Sequence, residues 1–263
     1  MMKRTLTCVL TLLLGATVSA GVIGTVGPAL GHPEVSTLEK VTKKGELRVG
    51  WSAWFPFLYV DPKTQKLTGF TVDLYEQMGK ALGVKIVWVE HPWSTIMAGL
   101  QADKFDIVSN AYRTPKRLVV AEYAGPMTRT GKALGSTKAK VGRYKSWHDA
   151  DNPNTRLCVP LGTGADADVT KAFTKANVMR PEGDPACIQA LAAGRADVYA
   201  ADIGILVALT KEHADFTVVP NSVFARSELG IWIKQGDQVM LNWVNMFIRD
   251  TKLEGAMETL IKK

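Results

Sequence analysis

The sequence predicts an α/β chain folded as two lobes, each a mainly parallel sheet flanked by helices. Three observations carry this. Apolar runs of strand length alternate with amphipathic stretches of helical period, the pattern of a parallel sheet covered by helices. The alternation occurs twice: Ile96-Met97-Ala98-Gly99-Leu100 through Lys104-Phe105-Asp106-Ile107 aligns with Cys187-Ile188-Gln189-Ala190-Leu191 through Arg195-Ala196-Asp197-Val198. A last strand-like run and two amphipathic C-terminal helices then follow, placed to return and cover the first lobe.

Residues 1–31 read as an export signal. Lys3 and Arg4 precede the apolar run Leu6 to Leu14, and small residues ending at Ala20 or at Gly31 offer cleavage sites. An uncleaved anchor is the competing reading, and five glycines between Gly15 and Gly31 make a poor spanning helix of it. Glu46 to Gly50 is the first expected strand, and Val72 to Leu82 a helix with Leu74, Met78 and Leu82 on one face, stopped by Gly83. Val84–Val89 is a strand, Thr95–Ala102 a short helix and Phe105–Val108 the next strand. The second half repeats the theme: strand Arg156–Pro160, helix Asp166–Lys175, strand Val178–Arg180, helix Ala186–Ala193, strand Asp197–Ala200. Strand Gly230–Ile233 precedes the final helices. The expected lobes are 37–130 plus 226–263, and 131–225, with linkers near Arg129–Gly135 and Pro220–Arg226.

Composition narrows the function. Without Lys3 and Arg4 the chain keeps 30 basic and 25 acidic residues, a net charge of +5 that is scattered rather than striped, which argues against a nucleic-acid partner. No G-x-S-x-G elbow, H-E-x-x-H pair or P-loop occurs. The four histidines are dispersed, and no cofactor is expected. Export leaves Cys158 and Cys187. An oxidising compartment favours a bridge between them, closing a loop worth about 3 kcal/mol; two buried thiols are the alternative.

Four features point to a binding site. In Asn110-Ala-Tyr-Arg-Thr-Pro-Lys-Arg117, Thr114 suits an N-cap and Pro115 the first helical position, so Arg117 falls in a first turn where a cation opposes the helix dipole. That is sensible if it faces a bound anion such as a carboxylate, and equally so if it pairs with a surface acid. Gly162-Thr163-Gly164-Ala165-Asp166-Ala167 follows a strand and opens a helix. It fits a dinucleotide fingerprint, with Glu182 about twenty residues on, and more simply a cradle for a small anion or a structural turn. Trp51, Trp54, Phe55 and Phe57 follow the first strand and Trp93 the third, at carboxyl ends where ligand sites form; Trp51 and Phe57 suit packing between lobes. Asp202 follows the last strand of the second half, as a helix N-cap or as an acceptor for an ammonium.

These elements in this order resemble the periplasmic solute-binding proteins of polar amino-acid ABC importers. The resemblance runs through Gly45-Glu46-Leu47-Arg48-Val49-Gly50, Gly69-Phe70-Thr71-Val72-Asp73-Leu74, Asp106-Ile107 to Thr114-Pro115-Lys116-Arg117, the Gly162-Thr163 turn, and Gly194-Arg195-Ala196-Asp197 to Asp202. It implies the type II periplasmic binding fold with two hinge linkers, closing on a carboxylate-bearing small molecule. It also implies delivery to an inner-membrane ABC permease by a periplasmic monomer with no catalytic residue. Arg117 would hold the carboxylate with backbone of the Gly162-Thr163-Gly164 turn, Asp202 the ammonium, and Trp54 and Trp93 would cover the side chain. The sequence departs from the family at Asn110 and Tyr112, where small residues are usual, and at Arg113, expected to add a second cation; a small, acidic or non-amino-acid ligand is the implication. The same fold serves the exported cyclohexadienyl dehydratase, which Pro92 to Met97 resembles, although the acidic residue expected shortly after Asp202 is replaced by Ile203-Gly204-Ile205. A ligand-sensing module is the third reading.

Overall fold

The computed structural model of the chain describes residues 35–262, so the expected export signal lies outside the described residues. The chain begins with α1 (Thr37–Lys44), capped by the Ser36 hydroxyl and ended by Gly45 in the left-handed conformation. β1 (Glu46–Trp51) follows, then the small hairpin of β2 (Tyr59–Val60) and β3 (Leu67–Thr68). Next come α2 (Phe70–Leu82), β4 (Lys85–Glu90), α3 (Ile96–Gln101), β5 (Ile107–Tyr112) and the single turn α4 (Pro115–Leu118). The long strand β6 (Ala121–Thr137) leads into α5 (Lys138–Val141), α6 (Trp147–Ala150), β7 (Arg156–Cys158), α7 (Gly164–Ala172), β8 (Asn177–Met179) and α8 (Gly183–Ala192). The chain finishes with β9 (Val198–Asp202), α9 (Ile203–Glu212), β10 (Phe216–Val218), β11 (Ala225–Lys234), α10 (Gln238–Leu253) and α11 (Ala256–Lys262).

The strands run β4-β1-β5-β11-β6-β9-β7-β8, with β10 also on β6. β4, β1 and β5 are parallel, as are β8, β7 and β9, and these two groups are the sheets of the two lobes. Between them lies the antiparallel ribbon of β6 and β11, paired from Ala121↔Lys234 to Lys132↔Ala225. β6 continues beyond that ribbon to pair β9 through Lys132↔Asp202 and Gly135↔Tyr199. Both expected linkers therefore involve this ribbon: 129–135 lies wholly within β6, and 220–226 leads into β11. Most boundaries shift by one to a few residues from the sequence reading, β11 extends to ten residues, and two further differences bear on the site. β5 starts two residues later than expected and runs on to Tyr112, so Asn110 and Tyr112 sit on the strand itself. The helix expected at Thr114-Pro115 is one turn only.

The first lobe buries Leu47, Val49 and Ile107 of the sheet against Leu74, Tyr75 and Met78 of α2. Met240, Val244 and Ile248 of α10 and Met257 complete that face, so the C-terminal helices do cover the first lobe. In the second lobe Leu157, Val159 and Val198 pack on Val169 and Phe173. Cys158 and Cys187 form a disulfide that ties β7 to α8. The internal echo has a structural counterpart. Asp106 accepts bonds from the Arg48 amide (2.7 Å) and guanidinium (2.7 Å), as Asp197 does from Arg156 (3.0 and 2.8 Å). In each lobe an Asp leading one strand clamps an Arg on its parallel neighbour, a bidentate pairing that fixes register.

Candidate functional site

The carboxyl ends of β1, β4 and β5 in the first lobe face those of β7 and β9 in the second. The cavity between them is lined by Trp54, Trp93, Asn110, Tyr112, Arg117, Pro160, Thr163, Gly164, Asp184, Asp202 and Ile205, among others. Eight of the nine residues expected to bind ligand thus meet in one place. Gly162 is the exception. Its N–H donates to Asp166 Oδ2 at 3.0 Å and is not available to a ligand, while its carbonyl accepts from Arg117 Nη2 at 3.1 Å.

Arg117 is 6% exposed. Thr114 caps the turn that carries it, and its guanidinium donates to the Tyr112 carbonyl at 3.0 Å and to Gly162 across the cleft. The Trp93 ring lies 5.8 Å from the guanidinium carbon. Among the described residues no carboxylate pairs with it, so the surface ion pair allowed by the sequence is not what forms. Burial lowers its pKa to about 10. A buried cation whose hydrogen-bond acceptors among the described residues are carbonyl oxygens, with no carboxylate, is a costly arrangement that an incoming anion relieves.

The second lobe offers its own donors. The Thr163 hydroxyl caps α7 by accepting from the Asp166 amide at 3.1 Å. The amides of Gly164 and Ala165, in the first turn, have no acceptor within the helix, and both residues line the cavity. Asp202 caps α9 through the Gly204 amide (2.7 Å) and also accepts from the Thr130 hydroxyl (2.7 Å) and the Tyr112 hydroxyl. The N-cap role weighed for it is present, and the other acceptor positions go to protein hydroxyls. Phe57 packs on Trp54 with ring centroids 4.4 Å apart and lies against Gly204 of the second lobe, where a Cβ would come within 2.5 Å of the ring. The interlobe packing expected of it is present.

The lobes are closed on one another. Gly162 (φ +74°) packs so tightly on the first lobe that a Cβ there would fall 2.4 Å from Ser94 Cα. Ser94 donates to Glu182 at 2.7 Å across the same seam. That bond gives Glu182 a role between lobes rather than on a ribose.

Three residues escaped the sequence reading: Asp184, which lines the cavity, and Lys132 and Thr130, which contact lining side chains. Lys132, fully buried on β6, holds its Nζ 3.2 Å from the Tyr112 ring centroid and 3.9 Å from Asp168, with no hydrogen-bond partner. Burial lowers its pKa to about 8. Asp184, in the first turn of α8, accepts from Tyr199, and burial raises its pKa to about 6. Thr130 reaches Asp202 from the ribbon. The second cation beside the cleft is Lys132 and not Arg113. Successive side chains of an extended segment leave on opposite sides, so Arg113 points away from Tyr112's cavity and pairs with Glu228 at 3.4 Å. Only an inward alternation on β6 could have marked Lys132, and Gly125, Pro126 and Gly131 obscure it.

The family model "Bacterial extracellular solute-binding proteins, family 3" matches residues 47–154. Among curated proteins, an L-cystine-binding protein of Escherichia coli K12 is 27% identical over 227 residues, covering 86% of this chain and 85% of that one. Among solved structures, an ancestral amino acid-binding protein, a precursor of cyclohexadienyl dehydratase, is 33% identical with a TM-score of 0.81, covering 86% of this chain and 98% of that one. A putative ABC-transporter binding component from Wolinella succinogenes, complexed with lysine, is 30% identical with a TM-score of 0.77, covering 82% and 94%.

Proposed function

The chain belongs to the bacterial extracellular solute-binding proteins of family 3, and on that premise we propose that it captures a small carboxylate-bearing solute between its lobes for an ABC importer. It is a periplasmic binding component that closes around an amino-acid-like ligand and passes it to a membrane permease; its role is binding, not catalysis. The carrying observation is Arg117, buried at the lobe interface without a carboxylate partner and bonded to Gly162 of the opposite lobe. A ligand carboxylate there meets the guanidinium of one lobe and the Gly164 and Ala165 amides of the other. Contacting both lobes at once, it favours the closed state over the open one.

The finer assignments belong to the same reading. Arg117, Thr163 and Gly164 hold the carboxylate, Trp54 and Trp93 wall the remainder, and Asn110, Tyr112 and Asp202 set the polar end. Residues 1–31 are the export signal, cut after about Ala20 or Gly31. The lobes divide as 37–130 plus 226–263 and 131–225, a division supported by the β6–β11 ribbon passing between the sheets. The working form is a monomer.

The test is a thermal-shift panel of amino acids, dicarboxylates and aromatic acids on wild type and Arg117→Ala. A bound ligand raises the melting temperature by mass action. Wild type is expected to respond to at least one carboxylate. Arg117→Ala should lose that response, since a lost charge-assisted bond of roughly 1.5–3 kcal/mol weakens binding about 10- to 100-fold. Equal shifts in both proteins would remove Arg117 from the site.

A further inference from the structure

The geometry points to a narrower ligand class for this cleft: short carboxylates with no ammonium on the carbon beside the carboxylate, because Tyr112 already fills that position on Asp202. This rests on the reading above and sharpens it. Asp202 is 4% exposed, and its two oxygens accept from the Gly204 amide, the Thr130 hydroxyl and the Tyr112 hydroxyl. A carboxylate offers about four acceptor sites, so three are spent on the protein itself. An α-ammonium, which brings three donors, would have to displace the phenol.

Two contacts hold the phenol in place. It lies on the Gly164 backbone, where a Cβ would fall 2.5 Å from the ring; only glycine leaves that space. Lys132 Nζ sits over the ring 3.2 Å from its centroid, with no hydrogen-bond partner of its own among the described residues. Moving the ring aside strips the buried ammonium of that face and brings a second cation towards it, which the low local dielectric penalises.

What the cavity leaves unmatched fits the narrower class. Its donors are the Arg117 N–H groups not spent on the Tyr112 and Gly162 carbonyls, the first-turn amides of Gly164 and Ala165, and the indole Nε1 of Trp54, which has no partner among the described residues. Asn110 Oδ1 is a buried acceptor without a partner, placed for a ligand hydroxyl. Asp184 stays available to a cation further along the ligand, which the class permits. The closed cleft leaves ≈ 30 Å³ for the centres of water-sized molecules, about two water positions, so any larger ligand must part the seam between Ser94 and Gly162.

The experiment compares matched frames on the wild-type protein by titration calorimetry and thermal shift: alanine against lactate and propionate, and aspartate against malate and succinate. At least one hydroxy or unsubstituted acid is expected to bind tenfold or more tightly than its α-amino twin. Tyr112→Ser clears the ring and frees Asp202, and is expected to reverse that order, with the amino acid gaining at least tenfold. Should that variant fail to fold, the wild-type ranking decides alone. Amino acids binding wild type as tightly as their twins, or no member of either frame binding it, would overturn the proposal. If amino acids bind wild type but not Arg117→Ala, the ligand class falls while the carboxylate reading stands. If binding survives Arg117→Ala, the carboxylate reading falls too, and this proposal with it.

Discussion

Closure depends on Gly162 in a way that one methyl group can interrogate. In Gly162→Ala two effects add, and they act on different states. The first is local: a left-handed alanine is strained by about 1–2 kcal/mol whether the lobes are open or shut. For a chain of this size that lowers the melting temperature by roughly 2–8 °C. The second exists only in the closed form. The new Cβ lies 2.4 Å from Ser94 Cα and 2.7 Å from Ser94 N, against an ordinary contact of 3.4–4 Å, so the seam must open by about 1 Å. The Arg117–Gly162 bond of 3.1 Å and the Ser94–Glu182 bond of 2.7 Å then stretch beyond bonding range. Losing them costs about 1–3 kcal/mol, which weakens ligand binding roughly 5- to 150-fold. The control is Gly83→Ala, where φ is +68° and nothing lies within 4 Å of the added methyl. It should show a similar loss of melting temperature with unchanged affinity. Calorimetry with the ligand found by screening measures both variants, and small-angle scattering of the saturated proteins reports the gap. If Gly162→Ala binds within twofold of wild type, the seam at Ser94 is not part of the ligand-bound state and the reasoning fails.

Two further outcomes follow from buried groups. Lys132 has a folded pKa of about 8 against 10.5 for an ordinary lysine, so between these values the unfolded chain binds more protons and stability rises with pH. Lys132→Met should melt no lower than wild type at pH 7, and the rise seen in wild type between about pH 8 and 10 should be absent; a matching rise in both would place its origin elsewhere. The Cys158–Cys187 bridge closes a separation of 29 residues, worth roughly 3–4 kcal/mol. Replacing both cysteines with serine is expected to lower the melting temperature by about 6–16 °C, and a change below 2 °C would refute the loop-closure account.

Much of the fold is legible in the sequence because its signals are local. Gly83 ends α2 in the left-handed conformation, and the Thr114-Pro115 pair starts a turn where the capping preferences place it. Leu47 and Val49 are fully buried in a parallel strand, where they alternate with the less buried Glu46 and Arg48. The unread parts depend on partners distant in sequence. Residues 121–137 carry strand-disfavouring Gly125 and Pro126 together with Gly131, Lys132 and Gly135, and no alternation survives. They form a 17-residue strand because β11, β9 and β10 supply its hydrogen bonds. Nothing in their local sequence marks Lys132 or Asp184; Lys132 is fully buried by the strands around β6, and Asp184 is brought to the cavity by α8. Arg117 was visible as an oddity of local electrostatics; that it would bond to Gly162 was not, since the two are 45 residues apart.

The position of β11 has a consequence for how the chain is made. It lies between β5 and β6, joining the parallel strands of the first lobe to the ribbon, yet only residues from 225 onward provide it. A chain emerging from its N-terminus completes β7, β8 and β9 while the slot between β5 and β6 is still empty, flanked by two unpaired strand edges. Such edges invite pairing with other chains until the late strand fills the gap. A truncation before Ala225 therefore removes the strand that joins β5 to β6 and not merely a terminal helix.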